Sequence, residues 1–218
     1  VSVMQSSGGT ISAAKAGRNG VHLLLSGPAG GLMGAQYAGR FAGQAKLLTF
    51  DMGGTSTDVA LIDGEVQLTT EGRIGGYPVG VPMVDMHTIG AGGGSVASVD
   101  AGGLLQVGPR SAGADPGPAC YGRGGREPTV TDANLVLGRL QAKAFLGGAM
   151  GLDVDAARNA MATVAGSLDI SVEEAAAGVV RLANEHMVGA LRVISVQRGV
   201  DPRGFGLASF GGAGRRGG

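Results

Sequence analysis

The sequence predicts an α/β fold in which an antiparallel meander of strands is flanked by helices. Two apolar runs rich in β-branched and aromatic residues, 47–50 and 59–62, are separated by a glycine-rich turn, which is typical of consecutive strands. Asp63 and Gly64 then form a strong hairpin signal that leads into a third strand at 65–69. Strands joined by such tight turns are antiparallel, so this is not a Rossmann arrangement.

The remaining elements follow from apolar runs and capping signals. Residues 21–25 predict a buried strand that is broken by the Gly- and Pro-containing residues 26–31, with a helix over 32–41. Residues 82–88 predict a short alternating strand, and 96–107 predict a hairpin that turns at 100–103. Helices are expected over 133–140, capped by Thr131 and Asp132, over 153–168, and from the capping box at Ser171 to about residue 198. Residues 205–210 predict a closing strand.

Composition limits the class of protein. The chain has 218 residues, and its 17 acidic and 17 basic residues balance, which argues against non-specific nucleic-acid binding. No apolar run approaches the length of a membrane span, and no signal peptide opens the chain, so we expect a cytoplasmic protein without a membrane partner. The single cysteine, Cys120, suits a reducing compartment and is interpreted as structural, with a nucleophile as the alternative. The chain starts at Val1 rather than Met and ends in a glycine-rich stretch, so we expect a fragment at both ends.

The turn between the first two central strands has the composition of a phosphate-binding loop. Its paired glycines would let a ligand approach the main chain, whose N–H groups could then bind anionic oxygens. Asp51 lies at the end of the first strand, and a carboxylate beside phosphate is repulsive unless a divalent cation lies between them. We therefore interpret Asp51 as a Mg²⁺ ligand, directly or through water. The candidate phosphate-binding residues are Gly53, Gly54, Thr55, Ser56 and Thr57. An ordinary β-hairpin with a Gly-Gly turn is the alternative.

Two further stretches carry candidate site residues. Asp85 and His87 are two apart in a predicted strand and would share a face, where they could bind a metal or act as an acid/base pair. A His–Asp hydrogen bond at a strand edge is the alternative. Residues 90–95 form a second glycine loop, which could pass close to a ligand or to another backbone segment. No P-loop motif occurs, and the formal dinucleotide fingerprint at 212–217 lacks the helix and acidic residue that it requires.

The order of these motifs resembles the second half of an actin-like ATPase, with its ribonuclease H-like fold. Within that superfamily the chain is most similar to the hydantoinase A / 5-oxoprolinase family, which also includes subunits of ATP-dependent ketone carboxylases. The resemblance covers nearly the whole chain and is carried by residues 25–31 (LSGPAGG), 50–58 (FDMGGTSTD), 84–95 (VDMHTIGAGGGS), 107–122 (VGPRSAGADPGPACYG), 131–134 (TDAN) and 210–214 (FGGAG).

The resemblance implies an A-type subunit that uses ATP and Mg²⁺ to open a cyclic amide such as a hydantoin or 5-oxoproline, by phosphorylating the unreactive amide oxygen. Residues 1–218 would form part of a hydantoinase A-type domain, working with a B-type hydantoinase subunit. The roles implied for single residues are Mg²⁺ binding and catalysis by Asp51, phosphate binding by Gly53, Gly54 and Thr55 to Thr57, adenosine contacts by Gly211, Gly212 and Gly214, and a catalytic, substrate or second metal site at Asp85 and His87.

The chain differs from the family pattern in two places, and two alternative functions stay open. The family has another Asp-x-Gly-Gly-Thr-type loop on the opposite lobe that is not found here, so we expect no ATPase activity from this chain by itself. The family usually continues Pro-Leu-His after the closing glycines, where this chain has Arg215 and Arg216. An ATP-dependent ketone carboxylase subunit is the first rival to the hydrolase. A non-catalytic actin-like lobe that regulates or assembles with a partner is the second.

Overall fold

A computed structural model of the chain describes residues 1–74, 76–143, 145 and 150–212. The strands are β1 Ser2–Met4, β2 Thr10–Ser12, β3 Lys46–Met52, β4 Thr57–Asp63, β5 Glu65–Val66, β6 Leu68–Thr69, β7 Gly72–Ile74, β8 Tyr77–Val79, β9 Met83–Val84, β10 His87–Ile89, β11 Ser95–Val99, β12 Leu105–Ser111 and β13 Gly206–Phe210. The α-helices are α1 Ala13–Arg18, α2 Ser26–Phe41, α3 Val130–Val136, α4 Val154–Leu168 and α5 Val172–Ile194. The predicted α/β fold is confirmed.

The chain divides into two compact units. Among the described residues, the first contains those within 1–51, 58–87 and 191–210, and the second contains those within 52–57, 88–190 and 211–212. Among the predicted site residues, Gly214 lies outside the described residues. Within the described part of the chain, no helix is both long enough and apolar enough to cross a membrane.

The first unit is built on a sheet in which β3 lies between β4 and β13. β5 pairs antiparallel with β4, which confirms the predicted hairpin at Asp63 and Gly64. β13 runs parallel to β3 and places Phe210 opposite Asp51. Helix α2 packs closely on this sheet because a Cβ atom on Gly39 would lie 2.6 Å from the Leu47 Cδ1 atom. The apolar residues of this layer are Ala35, Leu47, Ile62, Ala208 and Phe210.

The second unit combines the β11–β12 hairpin with helices α3, α4 and most of α5. The predicted turn is confirmed: the Asp100 Oδ1 atom accepts hydrogen bonds from the backbone N–H groups of Gly102 (2.9 Å) and Leu104 (3.0 Å). Cys120 is fully buried in an apolar cluster with Leu135, Leu152 and Ala157, as expected for a structural thiol.

Three predicted strands differ from the structure. The strand expected over 65–69 is two short strands, β5 and β6, which pair with β4 and with β9. Residues 20–23 form a 3-10 helix instead of a strand, and α2 begins at Ser26, where the sequence predicted a break. Pro28 lies in the first turn of α2, where a missing N–H group costs no intrahelical hydrogen bond. The strand expected over 82–88 is two short strands, β9 and β10, and Asp85 lies between them. Asp85 and His87 therefore do not share one strand.

The helix predictions are confirmed with small shifts at the ends. Helix α3 begins at Val130 because Thr129 and Asp132 form a reciprocal capping box, three residues earlier than predicted. The box at Ser171 is present, since the Glu174 Oε2 atom accepts from the Ser171 N–H group at 3.0 Å and the Ser171 hydroxyl oxygen accepts from the Glu174 N–H group at 3.2 Å. Helix α5 ends at Ile194, and a short 3-10 helix, Val196–Arg198, is capped by Gly199, whose φ of 75° is open mainly to glycine.

Candidate functional site

The predicted phosphate loop is a tight turn at the start of the second unit. The Gly53 N–H group donates to the Ser56 carbonyl at 2.9 Å, while Gly54 and Thr55 are exposed. Thr57 is fully buried, and its hydroxyl donates to the Ala91 carbonyl at 2.6 Å. The tip of the turn, at Gly54 and Thr55, is therefore accessible to solvent. The Thr57 hydroxyl fixes the base of the turn to Ala91.

The second glycine loop supports this turn from one side. The N–H groups of Gly93 and Gly94 donate to the carbonyl oxygens of Gly53 (3.1 Å) and Gly54 (2.6 Å). A Cβ atom on Gly92 would lie 2.7 Å from the Gly54 oxygen and 2.8 Å from the Gly53 oxygen, which is too close for any side chain. Of the two roles that the sequence left open for this loop, the structure shows the approach to another backbone segment.

These hydrogen bonds also orient the amides of the turn. In a trans peptide the N–H group points opposite to the carbonyl of the same unit. Because both carbonyls face the second loop, the N–H groups of Gly54 and Thr55 face away from it. Neither N–H group has a hydrogen-bond acceptor within the residues that the structure describes. Successive unpaired backbone amides of this kind suit the binding of anionic oxygens.

The second unit contains a pocket of about 260 Å³ beside this turn. It brings together Gly54 from the predicted phosphate loop and Gly212 from the predicted adenosine loop. A Cβ atom on either residue would meet no atom within 4 Å, so the packing of the chain does not itself require glycine at these positions. The other lining residues are Gly93, Gly94, Gly113, Pro118, Tyr121, Arg123, Thr131, Phe145 and Met150.

Thr131 and Arg123 were not predicted as site residues. The backbone N–H group and the hydroxyl of Thr131 both donate to the Gly93 carbonyl, each at 2.8 Å, so Thr131 holds the supporting loop in place. The capping pattern at the start of α3 signalled the helix but not this contact, because Thr131 and Gly93 are 38 residues apart. Arg123 follows a short 3-10 helix in a stretch without periodicity, which gave the sequence analysis no signal.

Asp51 lies at the end of β3 in the first unit, beside a cavity of about 10 Å³ with mainly apolar walls. Asp58 lines the same cavity. Burial, and then the charge of Asp58, raise the pKa of Asp51 above its ordinary value of 3.8. A carboxylate whose pKa is raised by burial and by a second carboxylate is stabilised in its charged form by a cation. Asp58 was not predicted as a site residue, although it flanks the same glycine turn.

Asp85 and His87 differ from Asp51 in their surroundings. The Asp85 carboxylate forms a two-point ion pair with the Arg198 guanidinium, at 2.5 and 3.3 Å, within the first unit. Over the described ranges, no group of three or more His, Cys, Asp or Glu residues is placed to hold a metal ion. The metal or acid/base role of Asp85 and His87 stays a prediction, and the structure gives Asp85 a different partner.

Comparison with known proteins gives consistent matches. A family model described as hydantoinase/oxoprolinase matches residues 1–216. The alpha subunit of caprolactamase from Pseudomonas jessenii is 46% identical over 211 residues, which cover 96% of this chain and 30% of that protein. The crystal structure of ATP-dependent caprolactamase from the same organism superposes with a TM-score of 0.83 at 44% identity, covering 98% of this chain and 31% of that one.

A nucleotide-free structure of acetone carboxylase, from a study of ATP-dependent acetone carboxylation, superposes with a TM-score of 0.87. It is 36% identical, and the match covers 98% of this chain and 30% of that one. The chain thus spans about 30% of the length of these two relatives.

Proposed function

The chain belongs to the hydantoinase/oxoprolinase family, and on that premise we propose that the complete protein is an ATP-dependent hydrolase that opens a cyclic amide. The hydrolase is preferred because identity is higher to the ATP-dependent caprolactamase (44%) than to acetone carboxylase (36%). The observation that carries the nucleotide part of the proposal is that Gly54 and Gly212 line one pocket, together with the absence of an acceptor for the Gly54 N–H group among the described residues.

In this proposal the turn binds the phosphate groups of ATP. The N–H groups of Gly54 and Thr55 would donate to phosphate oxygens, and Gly53 gives the turn its close backbone approach. The hydroxyl groups that can add hydrogen bonds to phosphate belong to Thr55 and Ser56, whereas the predicted contact of Thr57 is replaced by the hydrogen bond of its buried hydroxyl to the Ala91 carbonyl. Gly211, Gly212 and the predicted Gly214 would lie against adenosine. Gly211 has a φ of 88°, which few residues other than glycine adopt, so the backbone bends at the start of this loop.

The surroundings of Asp51 fit a magnesium ion. Burial and the charge of Asp58 raise the pKa of its carboxyl group, and a divalent cation would offset both effects. Asp51, with Asp58 beside it, would hold Mg²⁺ directly or through water. When bound, MgATP supplies the phosphoryl group that makes the amide oxygen a good leaving group. Asp85 and His87 are proposed for the substrate or a second divalent metal.

An ATP-dependent ketone carboxylase subunit is the second candidate. It is favoured by the higher TM-score to acetone carboxylase, 0.87 compared with 0.83 for the caprolactamase. The two reactions would use the same nucleotide site, because both rely on ATP to activate an oxygen atom of the substrate.

We further propose that residues 1–218 act as part of one hydantoinase A-type domain and that the complete protein works with a B-type subunit in the cytoplasm. The relative from Pseudomonas jessenii is itself named as one subunit of its enzyme. Copurification of a second polypeptide with the tagged complete protein would test the partner.

The decisive experiment follows phosphate release by the complete protein with its copurifying subunit. Hydantoin, 5-oxoproline and caprolactam are compared with acetone and acetophenone plus bicarbonate. ATP-dependent ring opening with phosphate release supports the hydrolase, whereas carboxylate formation from a ketone overturns it in favour of the carboxylase. ATP-dependent assembly or partner release without turnover of any of these substrates would overturn both enzyme proposals.

A further inference from the structure

Arg123 is a positive charge at the wall of the Gly54–Gly212 pocket. Its side chain is exposed, and the residues that line the pocket include no carboxylate to neutralise it. Within the described part of the chain, Arg123 forms no ion pair, whereas the same unit pairs Arg110 with Glu127 and Arg158 with Glu173. An arginine that lines a pocket and has no internal partner can give all its donors to a ligand.

The segment that carries Arg123 is held firmly by the buried carboxylate of Asp132. This carboxylate accepts hydrogen bonds from the N–H groups of Ala119 (3.3 Å) and Cys120 (2.8 Å), just before Arg123 in the chain. It also accepts from the Thr129 hydroxyl at 2.7 Å, so it fixes the segment to the start of α3.

The same helix is fixed to the phosphate turn. Thr131, next to Asp132, donates to the Gly93 carbonyl, and Gly93 in turn donates to the Gly53 carbonyl. A continuous set of hydrogen bonds therefore runs from the Arg123 segment through α3 to the Gly53–Gly54 turn. Groups positioned by such a network on rigid elements keep the geometry that ligand binding needs.

The two sides of the pocket offer different chemistry. Gly54 and the Arg123 cation line the same pocket, and the Gly54 N–H group has no acceptor among the described residues, while Tyr121 and Phe145 form an apolar wall with their ring centroids 5.8 Å apart. Backbone amides and a guanidinium group together match the oxygens of an anion, because both are donors and the guanidinium adds charge.

We propose that Arg123 binds an anionic oxygen group of the molecule in this pocket, and that this group is a phosphate of the nucleotide. The inference deepens the proposed function and rests on it. A nucleotide phosphate is preferred to a substrate carboxylate because the Gly54 amide, assigned to phosphate above, lines the same pocket. Arg123 is thus a specificity residue for the nucleotide, in addition to the residues that the sequence identifies.

The test measures ATP and ADP binding to the complete protein with its partner subunit, by calorimetry, for Arg123→Gln and Arg123→Lys. A charge-assisted hydrogen bond contributes about 1.5–3 kcal/mol, so Arg123→Gln should weaken nucleotide binding about tenfold to a hundredfold. Arg123→Lys keeps the charge but not the two-point geometry and should recover part of that loss. Arg126→Gln is the matched control, because Arg126 is exposed on the same segment and does not line the pocket.

The outcomes distinguish binding of a nucleotide phosphate by Arg123 from binding of a substrate carboxylate. If Arg123→Gln leaves ATP and ADP affinity within about twofold of the unmodified protein while the KM for 5-oxoproline rises, Arg123 binds the substrate carboxylate and the proposal is overturned. Unchanged nucleotide affinity with unchanged KM also overturns it. If the unmodified protein binds no ATP, the proposed function itself fails. That result differs from one in which the unmodified protein and Arg123→Gln bind ATP equally well.

Discussion

The pockets of the two units show two ways of preparing a site for a charged ligand. The cavity beside Asp51 has a volume of about 10 Å³. Its expected affinity for a cation depends on side-chain charge, because burial and a second carboxylate raise the pKa of Asp51. The pocket beside Gly54 has a volume of about 260 Å³. Its capacity to bind a ligand depends on backbone geometry, since glycines form much of its wall. We therefore expect pH and cations to change the stability that depends on the Asp51 cavity. We expect added side-chain volume to change ligand binding in the Gly54 pocket.

The largest expected effect comes from adding a methyl group behind the turn. In Gly92→Ala the new Cβ atom would lie 2.7 Å from the Gly54 oxygen, so the backbone must shift and the amides of the turn must move with it. We expect a loss of about 1–3 kcal/mol in the free energy of unfolding and loss of detectable ATP binding. Denaturant unfolding and calorimetry of the complete protein would measure both, and wild-type behaviour in either would contradict the supporting role of this loop.

Gly54→Ala separates ligand binding from folding. The new methyl group meets no atom of the chain within 4 Å, so the free energy of unfolding should change by less than about 0.5 kcal/mol. Because the methyl group would occupy the pocket beside the amides, ATP affinity should fall at least about tenfold, a loss of about 1.4 kcal/mol.

Gly166→Ala in α4 is the matched control, since it also meets no atom within 4 Å and does not line the pocket. It should bind ATP normally and should stabilise the helix by up to about 1 kcal/mol. Normal ATP binding by Gly54→Ala would remove the turn from the nucleotide site.

Asp51→Asn tests whether the charge of Asp51 controls the stability of the first unit. Because folding raises the pKa of Asp51 above 3.8, the folded state binds this proton more tightly than the unfolded state. Its contribution to stability is therefore complete below pH 3.8 and is lost as the pH rises through the raised pKa. Without Mg²⁺, the uncharged Asp51→Asn variant should be more stable than the unmodified protein at about pH 7 and equally stable when the Asp51 carboxyl group is protonated.

Thermal unfolding between about pH 3 and pH 7, with and without Mg²⁺, would measure this difference. Added Mg²⁺ should stabilise the unmodified protein at neutral pH and should have a smaller effect on Asp51→Asn, which should also lose Mg²⁺-dependent phosphate release. A variant that is less stable than the unmodified protein at neutral pH would show that the Asp51 charge is already compensated within the fold.

The smallest effect is expected at Asp85, whose charge has a partner. Arg198→Gln removes an ion pair in which the Arg198 side chain is 44% exposed, so the free energy of unfolding should fall by less than about 1 kcal/mol. Arg203→Gln, which breaks a local pair with Asp201, is the control. A Mn²⁺ titration followed by electron paramagnetic resonance tests the metal hypothesis at Asp85 and His87. Tighter Mn²⁺ binding after the Arg198 change, lost again in Asp85→Asn, would support it.

Local signals explain which elements were predictable. Asp63 with Gly64 and Ser171 with Glu174 are signals completed within a few residues, and both are present in the structure. The start of α3 was predicted too late, at a cap of Thr131 and Asp132, because the capping box that begins the helix joins Thr129 to Asp132 rather than to Glu or Gln. The apolar run at 21–25 became a 3-10 helix, since a short apolar run does not distinguish strand from helix by its periodicity.

What the sequence by itself determined is the family, the α/β class and the position of the glycine turn after Asp51, because these depend on residue type and short spacing. Only the tertiary structure decided that the loop at Gly92 supports the turn, that β13 pairs parallel with β3, that Asp85 pairs with Arg198 and that Arg123 lines the pocket with Gly54 and Gly212. These contacts join residues from about 40 to about 160 positions apart in the chain, and no local pattern specifies which distant groups a folded chain brings together.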